Sequence, residues 1–84
     1  MFFTYILWSE TLKKFYVGST QDLGARLAYH NSGNVRFTST GIPWVLLHQE
    51  TYETRYAASR RERQIKAWKS AVMIRNLIGS DQPE

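Results

Sequence analysis

Apolar positions near the N-terminus fall into two short runs that together predict a β-hairpin. Residues 2–8 are rich in aromatic and aliphatic side chains, and residues 14–18 (Lys-Phe-Tyr-Val-Gly) form a second run. The polar stretch 9–13 between them has the length of a hairpin loop. The first run is too short to cross a membrane and lacks the basic start of a signal peptide, so we expect a cytoplasmic protein without a membrane partner.

The next segment predicts a helix that runs to about residue 31. Ser19, Thr20 or Asp22 can cap its N-terminus, and the Ser-Gly-Asn sequence at 32–34 ends it. At about 100° per residue, the leucines at positions 23 and 27 define its buried stripe. His30 falls inside or at the border of that stripe, and Arg26 lies one turn before it.

The remaining pattern predicts one more strand and two more helices. Residues 32–42 form a polar loop, and Pro43 introduces a strand over 44–48. Thr54 can cap a helix from 55 to about 68, and Ser70 a shorter helix over 71–78. The order β-β-α-β-α-α predicts an α+β fold with a three-stranded sheet flanked by helices. We expect a single domain over 1–78 and a flexible C-terminal tail over 79–84.

The composition is that of a globular chain. Hydrophobic residues make up 43% of it and aromatic residues 14%, which is too apolar for a disordered protein. Cysteine is absent, so disulfides, thiolate zinc sites and cysteine nucleophiles are excluded.

The net charge is +4, and its distribution matters more than its sum. Six Lys or Arg residues fall between positions 55 and 69, with Glu62 as the one acidic residue among them. Such a cluster attracts a phosphate backbone, although a solvated helix face has the same composition. Glu62 lies at the edge of the apolar face of its helix and therefore needs a partner, for which Arg26, Arg61 or a metal ion are the candidates.

Tyr5, Tyr16, Gly18 and the later polar residues resemble the motifs of the GIY-YIG endonuclease superfamily. Phe3-Thr4-Tyr5 and Tyr16-Val17-Gly18 correspond to the two name-giving motifs, and an arginine, a histidine and a glutamate follow in order. The segment 61–69 is similar to a helix of the small stand-alone branch, which is described as excinuclease-C-like. Each motif is weak alone, but the ordered set is specific.

The resemblance implies a metal-dependent endonuclease acting on DNA that is branched, damaged or single-stranded, in DNA repair or processing. It implies that Glu62 binds a divalent ion, Mg²⁺ or Mn²⁺. It also implies that Arg26 stabilises the negative charge that develops on the phosphate in the transition state. Tyr5 or Tyr16 would orient or deprotonate the attacking water, and His30 would accept its proton directly or through a tyrosine. The residues expected to bind substrate are Gly18, Ser19, Arg61, Arg63 and Lys66.

The chain departs from the family pattern at three places. Ser19 stands where several relatives carry lysine, the first motif lacks its glycine, and Asn76 lies further from Glu62 than the structural asparagine of many relatives. Two alternatives stay open: a nucleic-acid-binding module without catalysis, and a protein-interaction domain.

Overall fold

Three strands form the sheet in a computed structural model that describes residues 1–80. β1 is Phe2–Ser9, β2 is Lys14–Thr20 and β3 is Trp44–Tyr52. The strand order is β2-β1-β3, and both pairs are antiparallel. The predicted hairpin is β1–β2, and the predicted α+β fold and element order are confirmed.

Three helices complete the fold: α1 (Leu23–Asn31), α2 (Arg55–Trp68) and α3 (Ala71–Ser80). Of the three candidate caps of α1, Asp22 is the one used, because its side chain accepts a hydrogen bond from the Ala25 backbone N–H. Thr54 caps α2 in the same way, as predicted. No helix within residues 1–80 is long and apolar enough to span a membrane.

The sheet separates two apolar clusters. On one face Tyr5, Leu7 and Trp44 are buried under α1 and the loop that follows it. On the other face Ile6 and Val17 of the sheet pack against the buried Ile65 of α2, with apolar residues of α3 beside them. Because side chains alternate along a strand, neighbouring residues of β2 serve different faces. The strand β2 is an edge of the sheet, so groups from both faces can meet around it.

The third strand differs most from its prediction. β3 extends to Tyr52, four residues beyond the expected end at His48, because Thr4 pairs with Glu50 and Phe2 with Tyr52 across the sheet. The predicted loop 32–42 contains a short 3₁₀ turn, Ser39–Gly41. The helix α3 runs two residues past its expected end at 78, and residues 81–84 of the expected tail lie outside the described residues.

Candidate active site

The first tyrosine of the hairpin lies over a glycine of the neighbouring strand. Tyr5 and Gly18 are direct partners across β1 and β2, and Tyr5 is buried. A Cβ atom built on Gly18 would lie 2.4 Å from the Tyr5 hydroxyl oxygen and 2.6 Å from Cζ. Gly18 therefore leaves room for the Tyr5 side chain, and its predicted contact with substrate stays a prediction.

His30 lies at the centre of a buried polar chain. Its Nε2 is 3.2 Å from the Tyr5 hydroxyl, and its Nδ1 is 3.0 Å from Oγ1 of Thr38. The Thr38 hydroxyl also donates to the Val35 carbonyl at 3.5 Å, so its oxygen is left to accept from Nδ1–H. This arrangement favours the tautomer in which Nε2 accepts the Tyr5 proton.

Burial, and then the positive charge of Arg26, lower the pKa of His30, which is neutral at pH 7. Only 2% of its surface is exposed, and both ring nitrogens are occupied. His30 is thus shielded from solvent, and its hydrogen-bond partner Tyr5 is itself only 2% exposed, so proton transfer to His30, directly or through a tyrosine, stays a prediction.

Of the two motif tyrosines, Tyr16 is the one that reaches the surface. It is half-buried, and its ring lies edge-on to His30, with 4.8 Å between the ring centroids. The Tyr5 ring lies at 6.4 Å on one side and the Trp44 ring at 6.0 Å on the other. These three aromatic neighbours fix the Tyr16 ring while part of the side chain faces solvent.

Glu62 lies on the other face of the sheet, at the edge formed by β2. Its Oε1 accepts a hydrogen bond of 2.7 Å from the Ser19 hydroxyl, and its Oε2 accepts one of 2.5 Å from the Lys66 ammonium. Of the three candidate partners of Glu62, a metal ion stays a prediction, and neither Arg26 nor Arg61 bonds Glu62 within residues 1–80. The reason is the register of β2, which points Ser19 toward α2, and the i,i+4 spacing that brings Lys66 onto Glu62.

Arg26 is exposed and lines a cleft of about 500 Å³ between the start of α1 and the start of α2. Its guanidinium lies 6.0 Å from the centroid of the Tyr29 ring. Ser19 lines the same cleft, and the Ser19 hydroxyl bonds Glu62. Ser19 is therefore the structural link between the cleft that Arg26 lines and the carboxylate on α2.

The charges on both sides of the sheet act on Tyr5. Burial, and then Tyr16, raise the pKa of the Tyr5 phenol; Arg26 opposes this change and Glu62 adds to it. No hydrogen bond or ion pair joins Arg26 to Glu62 in the part of the chain that the structure describes. The site therefore consists of two clusters. One contains Tyr5, Tyr16 and His30. The other contains Ser19, Glu62 and Lys66, and Arg26 lies on the cleft that borders this second cluster.

The three basic residues of α2 that are predicted to bind substrate differ in their surroundings. The guanidinium of Arg61 donates to Glu50 at 2.8 and 3.2 Å and to Gln64 at 2.8 Å. Contact with a phosphate would require Arg61 to exchange these partners. Arg63 is exposed. Lys66 is half-exposed but neutralised by Glu62.

A divalent ion fits the donor chemistry at Glu62. Within residues 1–80 no group of three or more His, Cys, Asp or Glu side chains gathers, so an ion here would take one protein carboxylate. Mg²⁺ accepts such a site, because it keeps several waters and completes its shell with substrate phosphate. The Lys66 side chain is 51% exposed, and its ammonium would leave Oε2 when an ion binds.

Three groups near the site were not predicted from the sequence. Thr38 bonds His30 from a loop without periodicity, so no local signal marks it. Arg55 lines the cleft with Arg26, although in the sequence it is one of six basic residues. Glu50 forms an ion pair with Arg61, and this contact depends on the extension of β3 beyond the apolar run that predicted it. Asn76, the nearest candidate for the family asparagine, is exposed on α3.

Comparison with known proteins gives a consistent picture. The profile of the GIY-YIG catalytic domain matches residues 1–76. A UPF0213 protein of Staphylococcus haemolyticus is 41% identical over 54 residues, which is 63% of this chain and 66% of the relative. UPF0213 proteins of Staphylococcus epidermidis and Staphylococcus aureus are 39% identical over the same lengths. The chain thus spans about two thirds of these relatives. No solved structure is significantly similar to the chain.

Proposed function

The chain belongs to the family of GIY-YIG catalytic domains, a family with a nuclease-type function, and from this premise we propose that it hydrolyses phosphodiester bonds in DNA with one divalent ion at Glu62. The observation that carries the proposal is the position of Ser19, which donates to Glu62 and lines the cleft of Arg26. A phosphate in that cleft would lie between the planar guanidinium of Arg26 and the carboxylate of Glu62, which is oriented to bind a cation.

Each side chain has a separate role in this mechanism. When bound, the ion would supply Lewis-acid polarisation of a phosphate oxygen and would stabilise the leaving oxygen. Glu62 would hold the ion, and the Ser19 hydroxyl fixes the orientation of the Glu62 carboxylate. Arg26 neutralises the charge that the phosphate gains in the transition state.

Tyr16 is the tyrosine that we assign to the attacking water. Its side chain is partly exposed, whereas Tyr5 is buried and its pKa is raised. The Tyr16 hydroxyl can both donate and accept hydrogen bonds, so its role is to orient the water by a hydrogen bond. The pair formed by Tyr5 and His30 holds the Tyr16 ring in place.

The substrate is proposed to be DNA, and binding should be weak, salt-sensitive and nearly independent of sequence. The net charge of +4 and the exposed arginines favour the phosphate backbone, which carries no sequence information. Branched, damaged or single-stranded DNA is the proposed form, and DNA repair or processing the proposed setting.

The test is cleavage of supercoiled plasmid and structured oligonucleotides with Mg²⁺ or Mn²⁺. Glu62→Gln keeps the hydrogen bond from Ser19 but loses the charge, and we expect it to abolish cleavage. Glu53→Gln is the matched control, because Glu53 is exposed and precedes α2. Cleavage that persists in Glu62→Gln, or that needs no metal, would sink the proposed mechanism.

One observation favours DNA binding without hydrolysis as a second candidate. Both oxygens of Glu62 are occupied by protein donors. Should Lys66 hold Oε2 against millimolar Mg²⁺, the chain would bind DNA and leave it uncut. Metal-independent DNA binding without cleavage across the substrate panel would establish this function.

A further inference from the structure

Two arginines from different elements line the same cleft. Arg26 comes from α1 and Arg55 from the first position of α2, and both side chains are exposed. Among the described residues neither guanidinium has an ion-pair partner. Two like charges at one cleft of about 500 Å³ repel each other unless an anion lies between or beside them.

We propose that Arg55 binds a second phosphate of the DNA strand whose scissile phosphate contacts Arg26. This inference rests on the function proposed above and adds a substrate-binding residue to it. The site would take two phosphates of one nucleic-acid strand, one at each wall of the cleft, and so set the direction in which the strand crosses β2.

Both guanidiniums are supported by aromatic rings. The Arg55 guanidinium lies 5.0 Å from the centroid of Phe2, and that of Arg26 lies 6.0 Å from the centroid of Tyr29. Stacking restricts an arginine side chain before it binds, so less conformational entropy is lost when it meets phosphate. The planar guanidinium also donates hydrogen bonds to two phosphate oxygens at once.

The one acidic side chain of the lining is engaged as a helix cap. Asp22 lines the cleft, but its Oδ1 accepts a hydrogen bond of 3.0 Å from the Ala25 backbone N–H as the cap of α1. The other polar groups of the lining, Ser19, Thr20 and Gln21, are neutral. The cleft therefore carries two positive charges against one carboxylate that is already engaged.

The experiment measures DNA binding in the Glu62→Gln chain without metal, so that the DNA stays intact. Fluorescence anisotropy with a labelled single strand and a duplex gives the affinity over a series of salt concentrations. Arg55→Gln should weaken binding about five- to tenfold at low salt. It should also reduce the slope of log K against log salt by about 0.9 on duplex or about 0.7 on single strands.

Arg75→Gln is the matched control. The Arg75 guanidinium also lies over an aromatic ring, at 5.9 Å from the centroid of Phe15, but Arg75 lines a separate apolar groove on α3. The control should keep the salt slope of the parent chain. Equal slopes for Arg55→Gln and Arg75→Gln would overturn the inference, whether or not the parent chain cuts DNA.

A backbone scan identifies the phosphate itself. Oligonucleotides with one neutral methylphosphonate at successive positions should show one position at which the parent chain loses affinity and Arg55→Gln does not.

Steady-state kinetics test the same contact in the chain that retains Glu62. There Arg55→Gln should raise KM more than it lowers kcat, because a contact away from the reacting bond is made equally in the ground state and in the transition state.

The two proposals fail in different ways. Cleavage by the unaltered chain, together with an Arg55→Gln variant that matches the control, refutes the phosphate subsite and leaves the nuclease intact. Selective loss of binding in Arg55→Gln, together with no cleavage under any metal condition, supports the subsite and refutes hydrolysis. A chain that binds no DNA at all refutes both.

Discussion

The ring of Tyr5 covers Gly18, its direct partner across β1 and β2, so closely that a Cβ on Gly18 would lie 2.4 Å from the Tyr5 hydroxyl oxygen. Tyr5 cannot move aside without cost, because it is buried and its hydroxyl is bonded to His30. The glycine of the second motif therefore determines where the first tyrosine lies. Through Tyr5, it also determines where His30 and Tyr16 lie.

Gly18→Ala should consequently destabilise the fold and lower the activity together. The added methyl forces the Tyr5 ring away from His30, and overpacking of this kind costs about 1–3 kcal/mol. Urea unfolding measures the change in the free energy of unfolding. Gly24→Ala is the control, since a Cβ there meets only Asp22 Oδ1, at 3.7 Å. A Gly18→Ala chain as stable as the unaltered protein would contradict the account.

Local signals explain the part of the fold that the sequence predicts. The caps Asp22 and Thr54 bond backbone groups three residues away, so the start of α1 and α2 depends on neighbouring residues alone. The helical spacing of Leu23 and Leu27 likewise predicts their packing on the cluster under α1. The order of the elements follows from these signals together with the two apolar runs of the hairpin.

Contacts between distant residues explain what the sequence does not show. Ser19 and Glu62 are joined only because β2 and α2 pack together, a contact that no local pattern in the sequence shows. Arg61 bonds Glu50, whose position depends on β3 pairing with the start of β1. The sequence therefore supplies the candidate side chains, whereas strand register decides their partners.

The two tyrosines should differ when each loses its hydroxyl. Tyr16→Phe should lower kcat about 100-fold or more, because Tyr16 is the one assigned to the attacking water, and should change stability little. Tyr5→Phe leaves Nε2 of the buried His30 without a partner, so it should cost about 1–3 kcal/mol of stability.

Cleavage rates and urea unfolding of both variants check this prediction at a temperature where each is folded. The stability measurement is the internal control, because it separates a loss of folded protein from a loss of rate. A larger fall in kcat for Tyr5→Phe than for Tyr16→Phe would reverse the assignment of the two phenols.

Lys66 should compete with the catalytic ion for Glu62. Its ammonium lies 2.5 Å from Oε2, and a divalent ion needs the same carboxylate. An ion pair of this exposure contributes up to about 1 kcal/mol. Lys66→Gln removes it, and the Mn²⁺ concentration needed for half-maximal cleavage should therefore fall about two- to fivefold. Lys69→Gln makes the same charge change at an exposed position after α2 and should leave the metal requirement unchanged. An unchanged or higher requirement in Lys66→Gln would show that Lys66 does not compete.

Glu50 should make the fold sensitive to acid. Burial alone would raise its pKa, but hydrogen bonds from Arg61, Tyr52 and His48 outweigh burial and lower the pKa from its ordinary 4.5 to about 2. A carboxyl with a lower pKa in the folded chain stabilises that chain at every pH above the unfolded value. This contribution should be complete above pH 4.5 and be lost as the pH falls toward 2.

Glu50→Gln tests the size and the direction of that effect. At pH 7 it should lower the free energy of unfolding by roughly 2 kcal/mol, because the Arg61 guanidinium loses its carboxylate partner and the His48 ring loses a charged hydrogen-bond partner. The difference between the two chains should shrink below pH 4.5, since the unaltered carboxyl then becomes protonated in the unfolded state first. Glu53→Gln, at an exposed acid, should show neither effect. A difference between the unaltered chain and Glu50→Gln that stays constant from pH 7 to pH 2.5 would mean that packing, and not the charge of Glu50, joins β3 to α2.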